Sequence, residues 1–346
     1  MKARYIISAV LLFALLAFIS IWLCLLLIDK SSETKEPEAI SMAVSVSEEA
    51  SSKPAVSEPE IVPEPIEQQT SETSSEEPEP PEPVIEVDFE LSATETYPGE
   101  YISVFAYGEL EASDIVTTNP FSRDPVFFKQ GDHLTALFPI KYTYEPGKYT
   151  LAFEAKGVRK EFDITLLSKE WQTQNLTVSG EVVNNTIESN SANDEYNQKV
   201  APKKNLFETA ALWNGAFMQP VAGRITTEFG MLRTVNGVPS DRHGGVDLAA
   251  AAGTPIVAAN SGKILFAEYI DLTGNTICIE HGMGLKTWYY HMNALNVSEG
   301  DTVSKGQKIG EVGSTGFSTG PHLHWAASVF NVYVNPWTLV KAAPEI

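Results

Sequence analysis

Apolar and polar positions divide this chain into stretches of different period. From Tyr5 to Ile28 no residue is charged, and only Ser8 and Ser20 interrupt the apolar run. That is long enough to cross a hydrocarbon core of ~30 Å as a helix. From Asp29 to Val84 the apolar period vanishes. From Ile85 to about Val178 it returns with a period of two, as in Val87-Asp88-Phe89-Glu90-Leu91. Tyr101–Tyr107, Leu134–Ile140, Tyr149–Phe153 and Phe162–Leu167 continue it, punctuated by Pro98-Gly99 and Pro146-Gly147. Short alternating runs between Pro-Gly turns predict a small β-sandwich. Residues 179–216 read as a second linker, Asn- and Ser-rich at first, with a short helix at Leu206–Trp213. From Phe217 to about residue 340 glycine-rich turns separate Arg224–Thr227, Thr254–Ala259, Lys263–Ala267, Thr276–Ile279, Thr287–His291 and His322–Ala326. This predicts an antiparallel β domain with a site on one face. The expected architecture is mainly β: a membrane segment (1–28), a disordered linker (29–84), a sandwich (85–178), a linker (179–216) and a second β domain (217–340).

Composition changes the picture mostly at the N-terminal end. Residues 29–84 hold fifteen acidic residues against three lysines, a net of −12 out of the chain's −21, and no Phe, Trp or Tyr. Such a segment cannot bury enough apolar surface to offset its ordering entropy. Its acidity argues against nucleic acid as a partner. Lys2 and Arg4 precede the apolar run, which places the N-terminus in the cytoplasm and all that follows outside it. A cleaved signal peptide is the rival reading, but Leu25–Ile28 run straight into Asp29-Lys30, which favours a retained single-pass anchor in the cytoplasmic membrane. Lipid attachment at Cys24 is a third option, for which Leu23 is a poor preceding residue. Cys24 and Cys278 are the only cysteines and lie in different segments, so no intramolecular disulfide is expected.

The candidate chemistry is concentrated in the last third. Of six histidines, His243 stands in Arg242-His243-Gly244-Gly245-Val246-Asp247, His291 in Tyr289-Tyr290-His291, and His322 and His324 in Gly320-Pro321-His322-Leu323-His324-Trp325. On an extended strand, residues two and four apart share a face, so His243 joins Asp247 and His322 joins His324. Two histidines and a carboxylate with a fourth position open is the pattern of a catalytic zinc. The surplus histidines suit a general base and an oxyanion donor. Spacing does not say which histidines do which. His281, before Gly282 at a strand end, reads as structural, and His133, standing alone, reads as a loop residue. The run Gly310–Gly320 lacks the lysine of a phosphate-binding loop and reads as a loop that sets the height of His322 and His324.

Together, Phe229-Gly230, Arg242–Asp247, Gly253-Thr254-Pro255-Ile256, Tyr289-Tyr290-His291 and Gly313–Trp325 resemble the lysostaphin/LytM-type zinc endopeptidases, over about residues 217–339. The resemblance implies an antiparallel fold with a narrow groove and cleavage of stem peptides or cross-links in bacterial peptidoglycan. It implies Zn2+ held by His243, Asp247 and His324, with His291 and His322 as catalytic residues. Met292 stands where the family usually has Leu. Pro146-Gly147-Lys148-Tyr149 and the stretch Trp171–Val178 resemble the immunoglobulin-like module that precedes the zinc domain in some members. Two alternatives stand beside this reading. One is a non-catalytic LytM-type regulator that activates another wall hydrolase. The other is a peptidase for proteins or glycine-rich peptides.

Overall fold

The computed structural model describes residues 86–346, so the expected membrane segment and acidic linker lie outside the described residues. Among the described residues no helix is long and apolar enough to cross a membrane.

The first module is a sandwich of two four-stranded sheets. One orders β1 (Asp88–Leu91), β3 (Tyr101–Tyr107), β6 (His133–Pro139) and β5 (Phe128–Gln130). The other orders β2 (Glu95–Thr96), β8 (Val158–Leu166), β7 (Gly147–Ala155) and β4 (Val116–Thr118). The period of two supplies the core: Phe89, Val104, Phe138, Leu151, Phe153 and Ile164 are almost fully buried between the sheets. His133 opens β6, hydrogen-bonded to Asp132 at 3.0 Å, in this module and not in the second.

The second module is built on a longer sheet. In spatial order it runs β10 (Arg224–Thr227), β13 (Val246–Ala249), β21 (His322–Val329), β17 (Leu285–Met292), β16 (Gly274–Glu280), β15 (Gly262–Ile270) and β19 (Thr302–Val303). Every pairing is antiparallel, and β22 (Val332–Val334) returns against β21. A three-stranded sheet of β14 (Pro255–Val257), β20 (Lys308–Glu311) and β18 (Ala294–Leu295) packs nearby. Leu248, Ile277, Tyr289, Leu323 and Trp325 are fully buried in the core of this module. Cys278 is buried in β16, where burial pushes its thiol pKa up.

The modules share a packed boundary. Tyr142 meets Phe229 edge-on at 5.5 Å, Phe207 bridges Phe128 and Phe330, and the Arg123 guanidinium lies 4.0 Å over the Phe330 ring.

The segment after the sandwich departs from expectation: residues 173–176, expected within the sandwich, pair with the second module, and the expected linker 179–216 carries helices. β9 (Thr173–Leu176) pairs in parallel with β11 (Leu232–Val235), which in turn pairs with β12 (Val238–Ser240). Two helices follow, α1 (Gly180–Asn185) and α2 (Asn190–Lys199). Their Ser and Asn content is capping chemistry: the Ser179 and Ser189 side chains accept from the Val182 and Ala192 amides. The helix expected at Leu206–Trp213 is absent. There the backbone spends its hydrogen bonds on tertiary partners, the Leu212 amide donating to the His281 carbonyl and the Met283 amide to the Glu208 carbonyl. A last helix, α3 (Pro336–Lys341), is capped by Asn335.

Candidate active site

The middle of the long sheet brings the sequence-predicted residues together. β21 lies between β13 and β17, so His324 has Asp247 opposite it on one side and Tyr290 on the other. Alternation along β21 sends Leu323 and Trp325 into the core and turns His322 and His324 to the other face, as the spacing predicts.

His243 arrives differently. β13 begins only at Val246, so His243 reaches the site from a loop and not from an extended strand. What holds it is a hydrogen bond from Nδ1 to the Glu228 carbonyl at 2.9 Å. A Cβ on Gly245 would lie 2.6 Å from the Trp325 carbonyl oxygen and 2.7 Å from Nε2 of His324. The glycine therefore makes room for the ring of His324.

His291 breaks the period. The β16–β17 register shifts between the pairs Asn275–Met292 and Ile277–Tyr289, and His291 adopts φ of 64°. Positive φ is costly for a residue with a side chain and here accompanies a bulge. Strict alternation would send Tyr290 and His291 to opposite faces; the bulge lets both line the same cleft.

Donor atoms converge tightly. His243 Nε2, Asp247 Oδ1 and His324 Nδ1 lie within 2.8–2.9 Å of one another, all buried. Because the Glu228 carbonyl can only accept, His243 Nδ1 carries the proton, and in the neutral ring Nε2 is a lone pair. His291 and His322 are fixed the same way, Nδ1 donating to the carbonyls of Thr315 (2.8 Å) and Gly320 (2.7 Å). Their Nε2 atoms are thereby left as acceptors, and the rings stand 4.9 Å apart. Nε2 of His322 lies 3.8 Å from Asp247 Oδ1. Tyr290 stacks on His324 at 5.2 Å with 2° between the ring planes.

Electrostatics follow the geometry. Burial resists ionisation of Asp247, but charge and hydrogen bonds from His243 and His324 outweigh it and hold the carboxyl well below its usual range. Burial, followed by repulsion from His322 and His324, pushes His291 down to about 3. His324 falls to about 4, again mainly through burial. Both rings are neutral near pH 7.

Asp247, Tyr290, His291, His322 and His324 line one cleft of about 460 Å³, and His243 is buried outside its lining. Asp247 and Ala249 form part of its floor, and Phe317–Pro321 of the glycine-rich loop form one wall. Gln174 and Leu176 of β9 and Arg233 of β11 form another. The walls are joined: Phe317 packs against the Val178, Val183 and Val235 cluster beneath α1. His281 is elsewhere, fully buried, with Nδ1 donating to the Ser261 carbonyl and Nε2 hydrogen-bonded to Thr287. Spacing gave no signal for Gln174 or Arg233, because their place depends on a parallel pairing across more than fifty residues. Tyr290 was visible only as a neighbour of His291.

Among the described residues, the only group of three or more His, Cys, Asp or Glu side chains placed to hold a metal is His243, Asp247 and His324. Residues 241–336 match the model of Peptidase family M23. DD-carboxypeptidase/endopeptidase Mpg of Neisseria meningitidis serogroup B is 43% identical over 104 residues, covering 30% of this chain and 24% of that protein. Peptidoglycan DD-endopeptidase ShyC of Vibrio cholerae is 40% identical over 97 residues, covering 28% and 22%. The chain thus spans about a quarter of the length of the curated relatives it matches. The fold extends further: a peptidase M23 candidate from Pseudomonas aeruginosa superposes with a TM-score of 0.51 at 24% identity, over 70% of this chain and 94% of that one. The His–Asp–His cluster lies in the Peptidase family M23 domain that residues 241–336 match, while the cleft also takes Gln174, Leu176 and Arg233 from outside that stretch.

Proposed function

We propose that this chain is a zinc-dependent endopeptidase that hydrolyses peptide cross-links or stem peptides of bacterial peptidoglycan. One observation carries the reading: three donor atoms meet within 2.9 Å, two of them from residues lining a cleft that also presents two further histidines. Two nitrogens and a carboxylate oxygen at that separation repel unless a proton or a cation lies among them. The donor set and its buried carboxylate suit Zn2+. The carbonyl that fixes the His243 tautomer is the outer partner such a ligand needs. His243, Asp247 and His324 would hold the ion. When bound, zinc polarises the scissile carbonyl and makes a water nucleophilic at neutral pH.

The chain's own groups do the rest. His291 and His322, anchored at Nδ1 by backbone carbonyls, take the proton of the attacking water at Nε2 and return it to the leaving amine. Once protonated, either ring donates to the developing oxyanion. The bulged backbone at His291 and the hydrogen bond to the Thr315 carbonyl together orient this ring. The cleft walls hold the peptide extended across the floor.

The substrate class rests on the names of the relatives, which are DD-endopeptidases of peptidoglycan in Vibrio cholerae. Location rests on the sequence: the apolar run Tyr5–Ile28 supports anchorage in the cytoplasmic membrane, with the peptidase outside it. The test is digestion of purified peptidoglycan sacculi with product identification by mass spectrometry, with and without a chelator. Metal-dependent release of new peptide termini is expected, abolished by His291→Ala. A protein without stoichiometric zinc and without products would instead match a regulator of another hydrolase.

A further inference from the structure

The wall formed by β9 and β11 holds an arginine that the chemistry above does not use. Arg233 lines the cleft with its side chain 17% exposed. Its Nε donates to Gln174 Oε1 at 3.0 Å, and Gln174 is held in turn by the Thr227 hydroxyl at 2.7 Å. That is the only hydrogen bond its guanidinium makes among the described residues. Nη2 stands 3.8 Å from Asp247 Oδ2, beyond hydrogen-bonding distance. Neither Nη atom is sealed from solvent, so both stay open to a ligand in the cleft. The side chain is aimed by one bond at its root while its planar fork remains available, the arrangement that suits bidentate recognition of a carboxylate.

Charge points the same way. Arg233 is the only lysine or arginine among the cleft-lining residues, and Asp247 is the only acid. A divalent cation on Asp247 and two neutral imidazoles leaves a charge of about +1, and Arg233 adds another. The cation also cancels the pull of Asp247 on the arginine, freeing it for a ligand.

We infer that Arg233, oriented by Gln174, is a specificity-determining residue that binds a free carboxylate of the substrate close to the scissile bond. This rests on the peptidase reading above. The 3.8 Å to Asp247 puts that carboxylate within about one or two residues of the reacting carbonyl, at roughly 3.3–3.6 Å per residue. A chain-terminal α-carboxylate and a side-chain carboxylate share this chemistry.

Zinc-loaded full-length protein, Arg233→Gln and Arg233→Lys are compared on three synthetic cross-linked stem peptides. One carries free acids, one a C-terminal carboxamide, and one a side-chain carboxamide beside the scissile bond. kcat/KM is measured for each. Binding is measured by calorimetry in a His291→Ala background, which keeps all three candidate zinc ligands. Zinc stoichiometry and thermal unfolding are recorded for every variant. One of the two amidations is expected to lower wild-type kcat/KM and affinity roughly 10- to 100-fold, identifying the source of the carboxylate. Arg233→Gln should lose as much on the free acid, with zinc content unchanged, and respond less than about threefold to amidation, the non-additivity of a direct contact. Arg233→Lys should fall between, keeping charge without the fork. Equal amidation effects in wild type and Arg233→Gln, or a wild type indifferent to both amidations, would overturn the inference. If Arg233→Gln does not fold, the wild-type comparison decides. If wild type cleaves none of the peptides, the peptidase reading fails, and calorimetry still decides the carboxylate contact.

Discussion

Gly245 shows how closely the His–Asp–His cluster is packed. A methyl group there would meet the Trp325 carbonyl and Nε2 of His324 at under 3 Å. Both belong to the central strand of the sheet, which has no room to retreat. Gly245→Ala is expected to cost about 1–3 kcal/mol of stability and to reduce zinc occupancy by displacing His324. Urea unfolding and metal analysis check the two effects separately. His281 tests the opposite case, a histidine that packs and does no chemistry. Burial holds it down to about 4 from an ordinary 6.5. The unfolded chain therefore binds the extra proton first. The stability this ring contributes is full above about pH 6.5 and is lost as pH falls toward 4. At 1.36 kcal/mol per pKa unit the loss is about 3 kcal/mol. Wild type should lose that much more than His281→Gln between pH 7 and pH 4, measured by denaturant titration.

Elements explain which parts of the site were legible. His322 and His324 follow from strand alternation alone, because β21 is regular and one face is core. His291 did not, because a bulge with positive φ replaces the period of two there. His243 was read on a strand and sits on a loop, since nothing local marks where β13 starts. β9 was invisible for a different reason: a four-residue strand of Thr, Gln and Asn ending in Leu176 has no apolar period, and its partner lies far along the chain. Trp171, just before it, covers the turn at Gly230. A Cβ on Gly230, at φ of 80°, would overlap the indole at 2.0 Å. Lys169 and Arg242 lie 4.5 and 5.1 Å from the same ring. Trp171→Ala is expected to lower stability by about 2–3 kcal/mol and to loosen the β9 wall. The measurements are thermal unfolding and faster amide hydrogen exchange at residues 173–176 than in wild type.

At the scale of the molecule, the sandwich, the connecting helices and the M23 domain share buried surface and should respond together. Tyr196 of α2 reaches Tyr333, which reaches Tyr290, through hydroxyl contacts of 3.3 and 3.2 Å. Tyr290 stacks on His324, so the helix pair and the ligand set are one packed unit. Anything that binds the folded state alone stabilises it by mass action. On the zinc reading proposed above, the ion at one hundred times its Kd would add about 2.7 kcal/mol. Chelation should lower the Tm of the described modules by several degrees, and readdition of zinc should restore it. Asp247→Asn should lower the apo Tm little and remove the zinc-dependent rise, as followed by scanning calorimetry.

The position of β21 carries a consequence for synthesis. Its residues come near the end of the chain, yet the strand occupies the middle of the sheet, between β13 and β17. While the polypeptide is being made, the residues of both flanking strands are made before those of β21. His243 and Asp247 wait without their third partner. A nascent or prematurely terminated chain therefore has no complete ligand set, whatever fraction of the sequence has emerged before residue 324. The order of the sequence acts as a timer: the His–Asp–His cluster stays incomplete until residue 324 has been made.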